Sequence, residues 1–170
     1  MTRQRAIPRR DFLKAAGAAV AAPLVLRPGV LGADGKPGAS QRLTVGMIGV
    51  GGMGNVHLGN MLEFRKEGKV ALAAVCDVDE DRLARAVQRA GPGVTPYRDY
   101  RHVLLRKDID AVVIATPDHW HAVQTVQACQ TGKHVYVEKP ASVTVAEGRA
   151  MVEAARKHHR AAPAASCAWS

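Results

Sequence analysis

"LTVGMIGVGGMG", residues 43–54, decides the fold. Leu43 to Ile48 form a short apolar run of the kind that fills a strand buried on both faces. Gly49, Gly51 and Gly54 follow as G-x-G-x-x-G, with Val50, Gly52 and Met53 between them. The next stretch, "NVHLGNMLEFRKE" (55–67), reads as a helix closed by Gly68. A glycine triplet counts for little alone; at a strand-to-helix junction it has a mechanism. Gly49 permits the tight turn, Gly51 lets a pyrophosphate approach the backbone, and Gly54 lets helix and strand pack closely. Free N–H groups and the helix dipole then hold phosphate charge.

On either side of this unit the chain alternates. "VALAAVCDV" (70–78) predicts a second strand and "DEDRLARAVQRA" (79–90) a helix with acids in its first turn. "GPGVTPY" (91–97) reads as a turn and "RDYRHVLLRKD" (98–108) as a short helix. "IDAVVIATP" (109–117) and "HVYVEK" (134–139) predict strands; "HAVQTVQACQTG" (121–132) and "TVAEGRAMVEAARKHH" (144–159) predict helices. There is no internal repeat. Strands separated by helices imply an α/β fold, a doubly wound parallel (Rossmann) sheet with right-handed crossovers.

In such a sheet every strand points its carboxyl end at one crevice, so the strand ends are where chemistry belongs. Asp77 closes the second strand, 23 residues after Gly54. A carboxylate there accepts hydrogen bonds from an adenosine ribose and repels a 2′-phosphate, which favours NAD over NADP. Asp79 suits the N-cap of the next helix better than Asp77 does, and Arg82 softens the local negative field. In "ATPDHWHA" (115–122) Thr116 and Pro117 bring a hydroxyl and a rigid turn to the crevice, and Asp118 or His119 can cap the helix. His119 and His121 are read as cofactor neighbours; without a third ligand at a recognisable spacing they do not make a metal site. Trp120 suits packing as well as a place beside the nicotinamide. "HVYVEKPAS" (134–142) ends a buried strand in an acid and an amine. Lys139 there can hydrogen-bond a sugar hydroxyl and the nicotinamide ribose and assist proton removal. Glu138 can hold that amine or the ribose. The alternative is a surface ion pair at a strand end.

Composition narrows the class. The chain has 170 residues, 47% of them hydrophobic and only 4% aromatic. That suits one α/β domain better than a β-sandwich. The net charge of +9 divides unevenly: residues 1–40 hold seven Lys/Arg against two Asp, and residues 41–170 seventeen against thirteen Asp/Glu. The later charges are interleaved as on solvated helix faces, without a basic stripe carrying aromatics, so nucleic acid is not an expected partner. Cys76, Cys129 and Cys167 are odd in number and lack C-x-x-C spacing, which argues against a disulfide framework. The excess of N-terminal charge sits in "RRDFLKAAGAAVAAPLVL" (9–26), which looks like a twin-arginine export signal. Its apolar run, Ala15–Leu26, is 12 residues long, short of the roughly 20 that span a bilayer. Residues 1–33 are assigned to the signal, with cleavage near Gly32 or Ala33 and an uncleaved membrane anchor as the alternative. Residues 34–41 read as a linker. The twin-arginine translocase is then a partner and the periplasm or exterior the destination.

"GMIGVGGMGNVHL", "VCDVDEDR", "ATPDHWHA" and "GKHVYVEKPAS", in that order, resemble the glucose–fructose oxidoreductase / inositol dehydrogenase (Gfo/Idh/MocA) family over about residues 42–159. The resemblance implies an NAD(P)-binding domain that continues into a larger α/β domain carrying a partner carboxylate and histidine. It also implies hydride transfer between a nicotinamide cofactor and a sugar or polyol, with the family's lysine on Lys139, its glycines on Gly49, Gly51 and Gly54, and its ribose acid on Asp77. Some relatives use NAD to cleave glycosides by transient oxidation. The family pattern calls for a further strand after His159, where this chain reads "RAAPAASCAWS" (160–170). That stretch has no β-branched residue and has Pro163 within it, which argues against a central strand. It is read as an irregular, out-of-frame tail on a chain truncated before the second domain. The expectations are weak NAD binding without turnover, or a plain nucleotide-binding fragment, and an exposed apolar sheet edge prone to aggregation.

Overall fold

A computed structural model describes residues 42–165. The elements alternate as β1 (Leu43–Ile48), α1 (Gly52–Lys66), β2 (Val70–Cys76), α2 (Glu80–Ala90), β3 (Thr95–Tyr97), α3 (Tyr100–Leu105), β4 (Ala111–Ile114), α4 (Asp118–Gln130), β5 (His134–Val137) and α5 (Val145–Lys157). The five strands form one sheet in the order β3-β2-β1-β4-β5, every neighbouring pair parallel. The order reverses between β1 and β4, which is where doubly wound sheets open a ligand crevice.

The two faces follow from strand alternation. On β1, Met47 faces one way with Val75, Leu58 and Leu83, packing α1 and α2. Ile48 faces the other with Ile114, Val103, Cys129 and Met151, packing α3, α4 and α5. Both faces of the sheet are covered, and the strands are apolar runs for that reason. Cys76 and Cys129 are free thiols buried in this packing. Burial first, then the nearby charges of Asp77 and Asp99, push the Cys76 thiol up to about 12, so it serves as a small apolar side chain. Cys167 lies outside the described residues.

Three differences from the sequence reading have physical causes. Thr95–Tyr97, read as a turn, is strand β3, paired with Ala74–Cys76; a three-residue edge strand containing Pro96 carries no alternation to detect. Helices α1 and α4 begin at Gly52 and Asp118, three residues ahead of expectation, because glycine and polar residues open their first turns. Finally, the stretch after His159 does not leave the sheet. Val135 N donates to Ala161 O (2.9 Å), Val137 N to Pro163 O (3.2 Å), and Ala165 N to Val137 O (2.8 Å). One parallel bridge, Val137 with Ala164, results. Pro163 takes part as an acceptor only: its missing N–H lies on the β5 side and leaves the pairing one bond short, so the segment joins the sheet by a single bridge rather than as a full strand.

Candidate functional site

The carboxyl ends of β1, β2, β4 and β5 are stitched together. Gly49 N donates to Cys76 O (2.8 Å), Ala115 N to Ile48 O (2.9 Å), and Glu138 N to Ile114 O (2.9 Å). Above them lies a crevice of about 760 Å³, within the range of sites that enclose a cofactor.

The glycine loop forms one wall. Gly49 has φ +84°, and a Cβ there would stand 2.6 Å from Ala115 O. A Cβ on Gly54 would collide with Gly49 O, so helix and loop close on each other only through glycine. Gly51 and Gly52 differ from these. A Cβ on Gly51 would meet only the flexible end of Arg82, Nη1 at 3.0 Å, and around Gly52 nothing lies within 4 Å. Gly49, Gly51, Gly52 and Met53 line the crevice; Gly54 lies behind it. The open space over Gly51 and Gly52, at the start of a 15-residue helix, fits a pyrophosphate.

Asp77 stands at the tip of β2, 8% exposed and in the crevice wall. Its Oδ2 accepts from Val50 N (2.9 Å) and its Oδ1 from Asp79 N (3.0 Å). This carboxylate thus also fastens the glycine loop, a role that no spacing in the sequence announces. Each oxygen keeps a second lone pair, so ribose hydroxyls can still be accepted. Asp79 caps α2 by accepting from Arg82 N at 3.0 Å.

At the far end Thr116, Pro117, Glu138 and Lys139 line the same crevice. Thr116 donates its hydroxyl to Gln124 Oε1 at 2.7 Å. Glu138 is 6% exposed; its Oε1 meets His57 Nε2 at 2.5 Å and its Oε2 accepts from Lys139 N at 3.0 Å. Burial pushes its pKa up, but the bonds from His57 and the Lys139 backbone, with the charges of both residues, outweigh that and hold it below the ordinary carboxylate value. Lys139 is exposed, and its amine makes no hydrogen bond or ion pair among the described residues.

Two expected cofactor neighbours are elsewhere. His121 is 1% exposed and lies beneath the crevice, its Nδ1 2.8 Å from Pro140 O and its Nε2 2.7 Å from Thr116 O. With both nitrogens occupied by the protein it has nothing left to offer a ligand. His119 is exposed beside Asp118, Nδ1 to Oδ1 3.6 Å, outside the crevice lining. Among the described residues no three His, Cys, Asp or Glu side chains gather as metal ligands. Two residues were missed or left open. His57, one helical turn beyond Gly54, extends the glycine motif to G-x-G-x-x-G-x-x-H, the signal that could have found it. Trp120 is 42% exposed in the crevice lining, its ring edge-on to Tyr100 at 6.4 Å.

A parallel sheet with an open glycine cradle at its switch point and a carboxylate on the adjoining strand tip defines a dinucleotide-binding Rossmann domain. The family model described as "Oxidoreductase family, NAD-binding Rossmann fold" matches residues 43–164, and this chain belongs to that Gfo/Idh/MocA family, with NAD as its dinucleotide. A model of the twin-arginine translocation pathway signal sequence matches residues 6–25. The chain is 37% identical over 174 residues to a "Glycosyl hydrolase family 109 protein" of Shewanella baltica, with 89% of this chain and 37% of that protein covered. It is 35% identical to an "Alpha-N-acetylgalactosaminidase" of Shewanella oneidensis over the same shares. The chain thus spans about a third of the length of these relatives. Among solved structures it is similar to the WlbA dehydrogenase of Chromobacterium violaceum in complex with NADH and UDP-GlcNAcA. The TM-score is 0.69 and the identity 28%, covering 76% of this chain and 36% of that one.

Proposed function

We propose that this chain supplies the NAD-binding and proton-handling part of an exported enzyme that oxidises a sugar or polyol. One observation carries the reading: the glycine cradle, Asp77 and the Glu138–Lys139 strand tip line a single crevice. Gly51 and Gly52 hold the pyrophosphate, Asp77 the adenosine ribose, and Lys139 the nicotinamide ribose. When bound, the nicotinamide supplies a two-electron hydride acceptor. Lys139 takes the hydroxyl proton of the carbon being oxidised, a role that needs the amine within hydrogen-bond reach of that oxygen. Glu138 keeps a negative charge beside the lysine. Thr116 and Pro117 shape the wall between the two ends. The glycosidase names of the relatives support a second reading, in which the same oxidation is transient and serves glycoside cleavage. Export follows from the twin-arginine signal; no helix among the described residues is long and apolar enough to cross a membrane.

Cofactor choice tests the reading. NADH should bind the chain more tightly than NADPH in a fluorescence titration, and Asp77→Ala should reduce that preference by about tenfold, the scale of one charge-assisted hydrogen bond. Tighter NADPH binding, or a preference unchanged in the variant, would remove Asp77 from the ribose.

A further inference from the structure

We propose that His57 and His121 are positioning residues that clamp the tip of β5 from opposite faces of the sheet and so aim Lys139 into the crevice. The proposal rests on the reading of Lys139 as the residue that meets the nicotinamide ribose. Its basis is the hydrogen bonding on either side of that residue.

Strand alternation puts Tyr136 and Glu138 on the face covered by α1, and Val135 and Val137 on the face covered by α4 and α5. His57 reaches down from α1. Its ring lies edge-on to Tyr136 at 5.4 Å, and its Nε2 meets Glu138 Oε1 at 2.5 Å. The other oxygen of Glu138 takes the Lys139 backbone N–H, 3.0 Å away. From α4, His121 reaches Pro140 O at 2.8 Å and Thr116 O at 2.7 Å, tying the residue after Lys139 to the tip of β4. The main chain is therefore held immediately before and after the lysine, while the amine itself has no protein partner among the described residues. A side chain with a fixed root and a free end loses less freedom on meeting a ligand than one on a loose loop.

His121 has a carbonyl oxygen at each ring nitrogen, one beyond the tip of β4 and one beyond the tip of β5, so a single buried side chain bridges the two strand ends. His57 is likewise no surface pair, since it and Glu138 expose only 13% and 8% of their side chains.

The test compares two ligands on the full chain. NADH carries the nicotinamide ribose that Lys139 should meet; ADP-ribose carries only the adenine end. By calorimetry, His57→Leu should weaken NADH about three- to tenfold, the loss of one hydrogen bond's ordering effect, and leave ADP-ribose unchanged. Lys139→Ala should do the same, and the double variant should lose no more than Lys139→Ala alone. His57→Gln, which can still donate to Glu138, should restore NADH binding. His121→Asn, which keeps donor hydrogens but shortens the reach, should show the same selective loss. An equal loss for both ligands would mark the histidines as merely structural, and an additive double variant would mean they act independently of the lysine; either result overturns the clamp. If Lys139→Ala weakens NADH but His57→Leu does not, only the clamp falls. If Lys139→Ala leaves NADH unchanged, the functional reading falls and takes the clamp with it.

Discussion

Glu138 shows how much one side chain can be asked to hold. It is buried, it receives the Lys139 backbone N–H, and it meets His57 across the strand tip. Its pKa in the fold lies below the ordinary carboxylate value of 4.5. A depressed pKa contributes stability that is complete above the unfolded-state value and disappears as pH falls through the folded-state value. Glu138→Gln should therefore lower the urea midpoint at neutral pH, and the gap to the unaltered chain should shrink steadily below about pH 4, where carboxylates in unfolded chains gain their proton. A gap that stays constant on acidification would show that the charge of Glu138 is not what the strand tip needs. The sequence placed this acid and its lysine at the crevice from a strand that ends in charge before a proline. It could not show His57, because a partner 81 positions away along the chain is brought near only by the packing of α1 on the sheet. For the same reason His121 was misjudged: two histidines flanking a tryptophan look equivalent in a string, but the helix turns one into the core and the other into water.

At the level of elements, the start of one helix rests on side-chain chemistry that its apolar spacing did not announce. Helix α5 begins with a capping box: Glu147 N donates to Thr144 Oγ1 at 3.2 Å, and Thr144 N donates back to Glu147 Oε2 at 2.9 Å. Val143 N donates to the same Glu147 oxygen at 2.9 Å. Thr144→Ala should destabilise the chain by about 0.5–2 kcal/mol, as the loss of a helix cap does elsewhere, seen as a lower denaturation midpoint with an unchanged slope. An unchanged midpoint would mean that packing of Met151 and Ala154 alone fixes the helix. The long strands and the helix at 80–90 were legible because apolar runs and acidic first turns report burial and dipole directly. Strand β3 was not. Its three residues pair with β2 through backbone groups that every residue type shares, and the flanking Gly91, Pro92 and Gly93 dominate the local pattern.

For the whole molecule, the uneven charge matters most. The paired arginines at Arg9 and Arg10 fall within residues 6–25, the stretch matched by the translocation signal. Replacing both by lysine keeps the charge and removes the planar guanidinium groups. A reporter fused to the altered chain should remain in the cytoplasm while the unaltered fusion leaves it; equal export of the two would show that the signal is not read through these arginines.

Both rims of the sheet carry a proline. On one side β3 is three residues long and contains Pro96; on the other, residues 161–165 cover β5 and contain Pro163. Pro96 lies between the two residues that pair with β2, so its missing N–H faces outward and that rim cannot template a continuous ladder with a second chain, whereas Pro163 accepts from Val137 and so turns toward β5. The β3 rim is thus a blunted border, a defence against stacking edge to edge into fibres just where a bare strand would have invited it.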